Sequence, residues 1–289
     1  MQYTITETNE QGDRKYNQDR VKVLETDDCI LLVLADGIGG KKGGDLAAET
    51  VIDTVTNIFE SSTTPIDDPK RYLTNLLRVS HNAVTTMGKN HQPAIEPGTT
   101  AVLCLIQNDK AYWAHVGDSR FYLFREGLSL YRTKDHSYVE ELYQRGKISI
   151  DKRQGHPMRG YITQCIGHMQ VMPTIDVSAE VPLLKGDILL LCTDGLWEPL
   201  DDAVLGEILN GMEIERGLAK LTEQALQASA PHADNTSAIA IRINALTEGL
   251  HTEEEKLEKQ QEAKEKVYEL DLAIRNIEDV LDEYKHEID

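Results

Sequence analysis

Nowhere in these 289 residues does an apolar run approach the roughly 20 residues that a membrane-spanning helix needs. The start of the chain has no basic segment followed by an apolar one, so neither a membrane protein nor an exported one is expected. Positive charge is scarce: 30 Lys and Arg face 49 Asp and Glu, for a net charge of −19. Such a chain repels nucleic acid and anionic membranes, and neither is expected as a partner. Cysteine is sparse and scattered. Cys29, Cys104, Cys165 and Cys192 form no close pair and have no His at zinc spacing. Three of them lie in apolar strand-like runs, where a free Cys acts as a small hydrophobe, and a reducing cytoplasm is the expected compartment. Gly39 to Gly44, with its two lysines, lacks the Gly-Lys-Ser/Thr ending of a nucleotide-phosphate loop. A nucleophilic Ser or Cys motif is missing as well.

What is present is enough apolar residue, 40% of the chain, for a sizeable core in one large domain or two ordinary ones. The charge is uneven. From Ala245 to Asp289 fifteen acids face six Lys or Arg, a net of −9 that leaves −10 for everything before it. The chain is organised around Asp36, Gly37, Ile38, Gly39 and Gly40. These follow Cys29 to Ala35, an almost unbroken apolar run suited to a buried strand, and precede a helical pattern from Asp45 to Phe59. The strand delivers one carboxylate to its open end, and the glycines allow a sharp turn with close backbone approach, including a peptide carbonyl offered as ligand.

In chain order, Tyr3 to Thr8 alternates like a strand, Gly12 to Arg20 is a polar loop, and Val21 to Leu24 pairs with the run ending at Asp36. Two helices follow, with apolar faces Ala48, Val51, Ile52, Val55, Phe59 and then Leu73, Leu76, Leu77, Val84. Strands dominate the middle: Thr99 to Gln107, turning at Asn108 and Asp109 into Lys110 to Val116, and Phe121 to Arg125, turning at Glu126 and Gly127 into Leu128 to Tyr131. The polar stretch Thr133 to Gly160, with a short helix at Tyr138 to Arg145, suits a flap beside a site. Short strands at Ile175 to Ser178 and Asp187 to Cys192 precede helices at Asp201 to Leu209, with Asp201 as N-cap, and Ile214 to Ala228. Ser237 to Ile243 is the last core strand.

Four acids share one context. Asp36, Asp118 and Asp194 each follow a strand-like apolar run, and Asp234 precedes one. Strands of a sandwich start and stop at the same two edges, so acids at strand ends meet on one rim although distant in sequence. Arg14 is the one well-placed cation nearby, too little to compensate them. Hard divalent ions such as Mg²⁺ or Mn²⁺ solve the problem with oxygen ligands alone. The alternative is four independent turn or cap aspartates.

The ordered stretches resemble a family. Arg14 with Asn17, Gln18 and Asp19, then Asp36 to Gly40, Gly98 Thr99 Thr100, Gly117 to Arg120, Asp135 His136 Ser137, His156 Pro157, Ile162 to Gly167, Thr193 Asp194 Gly195 and Asp234 Asn235 resemble the motifs of the metal-dependent protein phosphatases (PPM family, type 2C), compact bacterial type. The resemblance covers about residues 1 to 244. It implies an α+β fold, a four-layer αββα sandwich of two antiparallel sheets flanked by helices. It implies hydrolysis of phosphoserine and phosphothreonine on proteins by a metal-activated bridging water, with two Mn²⁺ or Mg²⁺ ions and a third, weaker one. Asp36 would bridge two ions and the Gly37 carbonyl would bind one; Asp194 and Asp234 would complete the second site; Asp118 with Asp194 would hold the third. Asp19 would orient metal-bound water, and the planar fork of Arg14 would grip the substrate phosphate. Phosphoproteins are the implied substrates, and an opposing Ser/Thr kinase the implied counterpart. Two departures stand out: Ile38 replaces a histidine proposed as general acid in animal members, and Gln18 replaces a common Glu.

After Ile243 the composition changes. Glu253 to Lys266 is charged and helix-prone, and Val267, Leu270, Ile274, Ile277, Leu281, Tyr284 and Ile288 alternate spacings of three and four. That is a seam of about three heptads, borderline for a coiled coil. The expected organisation is a catalytic domain at 1–244 and an acidic helical tail at 245–289 that pairs two copies or docks a partner through 250–289, the alternative being a helix folded back on its own catalytic domain. A competing class is an interaction protein whose acids hold a structural metal and whose tail supplies the role.

Overall fold

A computed structural model describes residues 1–38, 43–149, 152, 155–167 and 171–247. The chain divides into two units, Met1–Leu246 and Thr247–Asp289. Gly39, Gly40, Lys41, Lys42 and the heptad seam of the tail lie outside the described residues.

In chain order the elements are β1 (Gln2–Glu10), β2 (Asp19–Glu25), β3 (Cys29–Asp36), α1 (Gly44–Glu60), α2 (Pro69–Asn90), β4 (Ala101–Gln107), β5 (Lys110–Val116), β6 (Arg120–Arg125), β7 (Leu128–Arg132), α3 (Tyr138–Gln144), β8 (Asp176–Val177), β9 (Val181–Pro182), β10 (Ile188–Cys192), α4 (Asp194–Trp197), α5 (Asp202–Gly211), α6 (Ile214–Ser229) and β11 (Thr236–Ala245). They form two sheets, ordered β1-β11-β10-β6-β7 and β2-β3-β4-β5-β8, with β9 also on β5. Every pairing among them is antiparallel.

Three apolar layers hold four structural ones together. On β3 alternate residues part company: Leu31, Val33 and Ala35 meet Val51, Val55, Leu73 and Leu77 of α1 and α2, while Ile30, Leu32 and Leu34 meet Leu189, Leu191, Ile239 and Ile241 of the other sheet. Both faces are covered, which is why the run reads as continuously apolar rather than alternating. On the far side Ile188, Leu190, Ala238 and Ala240 pack under Leu205, Leu209, Leu218 and Leu221 of α5 and α6. Each fully buried Val, Leu or Ile side chain among them contributes about 1.5–3 kcal/mol. The fold is therefore the expected α+β sandwich with helices outside two sheets.

The turns follow their residues. Asn108 (φ 50°) and Asp109 (φ 56°) join β4 to β5, and Glu126 (φ 53°) and Gly127 (φ 83°) join β6 to β7; two consecutive left-handed residues match the twist of a tight hairpin. Two details depart from expectation. Asp201 stands at the N-cap of α5 without a side-chain capping bond, and β9 went unforeseen because two residues carry no period.

Candidate metal centre

Strand parity builds the site. Because Ile30, Leu32 and Leu34 face the gap between the sheets, Asp36 falls on the same face at the strand's open end. Val21 and Val23 set the same parity on β2, and Asp19 lies directly opposite Asp36 in the register. On β10 and β11 the apolar set Leu189, Leu191, Ile239, Ile241 continues to Thr193 and Ser237. At this rim the filling of the sandwich changes from aliphatic to Asp19, Asp36, Thr193 and Ser237. The Thr193 hydroxyl donates to Asp19 Oδ2 at 3.0 Å and accepts the Ser237 N–H at 3.0 Å, tying one sheet to the other beneath the carboxylates.

The backbone around Asp36 is pinned on both sides. Its carbonyl accepts from the Thr100 N–H and the Thr99 hydroxyl, both at 2.8 Å, and its N–H donates to the Thr100 hydroxyl at 3.2 Å. Gly37 N–H donates to the Gln18 carbonyl and Ile38 N–H to the Gly98 carbonyl. A Cβ on Gly37 would overlap the Gly44 backbone, and one on Gly44 would press on Gly37 and Gln18; only glycines let the start of α1 come this close.

Asp194 begins α4 at the end of β10, Asp234 precedes β11, and Asp118 lies between β5 and β6. All converge electrostatically. Burial first, and then repulsion from Asp19, Asp194, Asp118 and Asp234, hold the Asp36 carboxyl well above the usual carboxylate range. Asp194 is displaced in the same direction, by burial and then by Asp118, Asp234, Asp19 and Glu198. Burial raises Asp19 to about 6 and, with Asp135 adding and Arg120 opposing, Asp118 to about 7. Asp19 is fully enclosed and Asp118 nearly so, whereas Asp36, Asp194 and Asp234 keep an edge toward solvent. Arg14 reaches in from the β1–β2 loop, its Nη2 at 2.5 Å from Asp234 Oδ2. That bond, and the fields of Asp194 and Asp36, push its ionisation further up, so it is permanently charged.

Among the described residues, five aspartates at one rim with a single arginine among them are undercompensated. The second cation, Arg120, is already held by both oxygens of Asp135 at 2.7 Å. Asp19 Oδ1 is buried without a donor. An all-oxygen set with an unanswered acceptor fits hard divalent cations. Of the expected site residues, Asp19 lies opposite Asp36, with Gly37 next in the chain, Arg14 bonds Asp234, and the carboxyls of Asp36, Asp118, Asp194 and Asp234 lie within electrostatic reach of one another.

The sequence reading missed several supporting groups. Thr193, Thr100 and Ser237 were legible only through strand parity. Trp197 donates its indole N–H to the Asp118 carbonyl at 3.0 Å and stacks under the Arg120 guanidinium at 3.4 Å. Elsewhere, His115, His136 and Asp176 bring possible ligand atoms within 4.8 Å of one another. His115 Nε2 faces the Lys134 carbonyl at 2.8 Å, but His136 Nδ1 accepts the Gly117 N–H at 3.2 Å. His136 Nε2 lies 3.3 Å from Asp176. The two imidazoles stack at 4.7 Å, and His115 Nδ1 and His136 Nε2 are buried without a hydrogen-bond partner.

Residues 8–238 match the family model described as Protein phosphatase 2C. The serine/threonine protein phosphatase PstP of Mycobacterium tuberculosis is 31% identical over 213 residues, 74% of this chain and 40% of the relative. The chain thus spans less than half the length of that relative. The serine/threonine phosphatase stp of Listeria innocua is 26% identical over 242 residues, covering 82% of this chain and 94% of its own. Among solved structures, Stp1 of Staphylococcus aureus superposes with a TM-score of 0.77 at 26% identity, covering 85% of this chain and 96% of that one. The PstP catalytic domain in complex with two manganese ions gives 0.70 at 28%, covering 84% and 99%. The chain belongs to the protein phosphatase 2C family.

Proposed function

We propose that this chain hydrolyses phosphoserine and phosphothreonine on proteins, using two Mn²⁺ or Mg²⁺ ions and a third, weaker one. The observation that carries it is geometric: Asp19 and Asp36 stand directly opposite each other in the β2–β3 register, and Asp118, Asp194 and Asp234 lie at the ends of β5, β10 and β11. Asp36, the Gly37 carbonyl, Asp194 and Asp234 would hold the pair, and Asp118 with Asp194 the third. When bound, such ions neutralise the carboxylates, lower the pKa of water to make a nucleophile at neutral pH, and offset the charge that develops on phosphorus. The chain's own residues do the rest. Arg14, fixed at the solvent edge by Asp234, presents its free guanidinium N–H groups to the substrate phosphate. Asp19, held through Oδ2 by the Thr193 hydroxyl, would use its other carboxylate oxygen to orient attacking water. Ile38, with no ionisable group, supplies no proton to the leaving group, which leaves that step to solvent or another residue.

Support for the domain reading comes from the division of the chain at Leu246, two residues from the proposed boundary: catalytic domain at 1–244, tail at 245–289. No helix among the described residues is long and apolar enough to cross a membrane. The proposed location is cytoplasmic, and the proposed counterpart is a Ser/Thr kinase. The proposed role of 250–289 is pairing of two copies or partner docking. Sedimentation of the full chain against a chain ending at Ile243 tests the pairing, and equal monomer masses would remove it.

The decisive assay is phosphate release from a phosphothreonine peptide with and without manganese. Manganese-dependent release supports the enzyme. Metal binding without release supports instead an interaction protein with a structural ion.

A further inference from the structure

Arg14 sits on the loop from Gln11 to Gln18, every residue of which is exposed through Tyr16. A loop of this kind has no core of its own, yet it must hold a guanidinium at a fixed place. What binds it is one buried side chain from the other end of the sequence. Asn235, 6% exposed, donates both amide hydrogens to loop carbonyls, Gln11 at 2.8 Å and Tyr16 at 3.1 Å, and accepts the Gln18 N–H at 2.9 Å. Its three partners span the beginning, end and exit of the loop, and Arg14 lies between them. The Arg14 carbonyl is taken in turn by the Gln11 side chain at 2.7 Å. Asp13 exchanges two 2.9 Å bonds with the Ala233 backbone. Asn235 N–H meanwhile holds Asp234 Oδ1 at 2.8 Å, the carboxylate whose other oxygen meets Arg14.

We infer that Asn235 is a positioning residue for phosphate recognition: its amide clamps the Arg14 loop in register with Asp234. This rests on the phosphatase reading given above. The chemistry of the clamp is asymmetric. Asn supplies two donors and one acceptor, matching two carbonyls and one N–H. Asn235→Asp keeps the shape and the acceptor but turns oxygen toward two carbonyls, so the loop is repelled rather than held. The backbone N–H to Asp234 is untouched by Asn235→Ala, so ion binding and substrate positioning separate.

The test compares wild type, Asn235→Asp, Arg14→Ala and the double variant on p-nitrophenyl phosphate with saturating manganese. For Asn235→Asp, KM is expected to rise about 10-fold with kcat within about 3-fold, as for loss of a charge-assisted contact. Added to Arg14→Ala it should change KM by less than about 2-fold, because the two act through one contact. Manganese affinity, measured by calorimetry on Asn235→Ala, which adds no charge beside Asp234 and keeps its backbone donor, is expected to stay within about 2-fold of wild type. Trypsin should cut after Arg14 or Lys15 faster in Asn235→Asp than in wild type, whether or not the protein turns over substrate. Should Asn235→Asp fail to fold, Asn235→Ala, which removes the clamp without the clash, carries the same measurements. An unchanged KM, additivity with Arg14→Ala, equal trypsin rates or a parallel loss of manganese affinity in Asn235→Ala would overturn the inference. Wild type inert on every phosphomonoester but tighter at the loop than Asn235→Asp would refute the phosphatase reading and leave the clamp standing.

Discussion

Asp19 and Asp36 face each other directly across the β2–β3 pairing, two acids at adjoining positions on the inner face of a sandwich otherwise filled with aliphatic side chains. Two carboxylates so placed oppose folding unless protons or cations answer them. The protein therefore carries strain of its own at the point where it is to act.

Removing one of the charges should relieve that strain and destroy the site. Asp36→Asn and Asp194→Asn are each expected to abolish turnover. In chelator both should melt higher than wild type by a few degrees, at about 2–4 °C per kcal/mol for a domain of this size. Calorimetry with parallel phosphate release checks both; full activity in Asp36→Asn would contradict the site.

Acidity should act on the metal-free protein with a definite sign. Asp36, Asp194, Asp118 and Asp19 have carboxyls raised above their unfolded value, so the native state binds more protons than the unfolded one. Their stabilising contribution is complete below about pH 4 and is lost as pH rises through the folded values, which are about 6 for Asp19 and about 7 for Asp118. His81 and His115 act oppositely, burial having lowered both, but they do so with or without metal. The gain in melting temperature from manganese is thus expected to grow between pH 5 and pH 8, and a gain independent of pH would refute the argument.

Asp118 is held through its carbonyl by Trp197 and lies at the edge of the cluster. Asp118→Asn is expected to reduce turnover while costing less tightly bound manganese than Asp194→Asn. Equal losses of bound metal, measured by calorimetry, would count against separate roles for the two acids.

Gly195 packs against the next strand so closely that a Cβ would overlap the Asn235 carbonyl. Gly195→Ala is expected to destabilise by about 1–3 kcal/mol, as for overpacking elsewhere, and to lower manganese affinity because Asp194 must move with its neighbour. Thermal melts and calorimetry on the same variant measure both effects.

Much of this protein is written in local pattern. The apolar run Cys29 to Ala35, the three-four spacing of Val51, Ile52 and Val55, and the Asn108–Asp109 turn identify strand, helix and hairpin because side-chain period and left-handed tolerance are properties of a few consecutive residues. The ordered acid motifs likewise carry the family. Only the folded chain decided what meets what. That Asp19 faces Asp36, that Thr193 reaches Asp19 across the gap between sheets, and that Asn235 holds the loop of Arg14 depend on register and layer packing between segments up to 224 residues apart. Partners so distant leave no local period, because contact between them is set by the closing of the sandwich and not by the residues beside them.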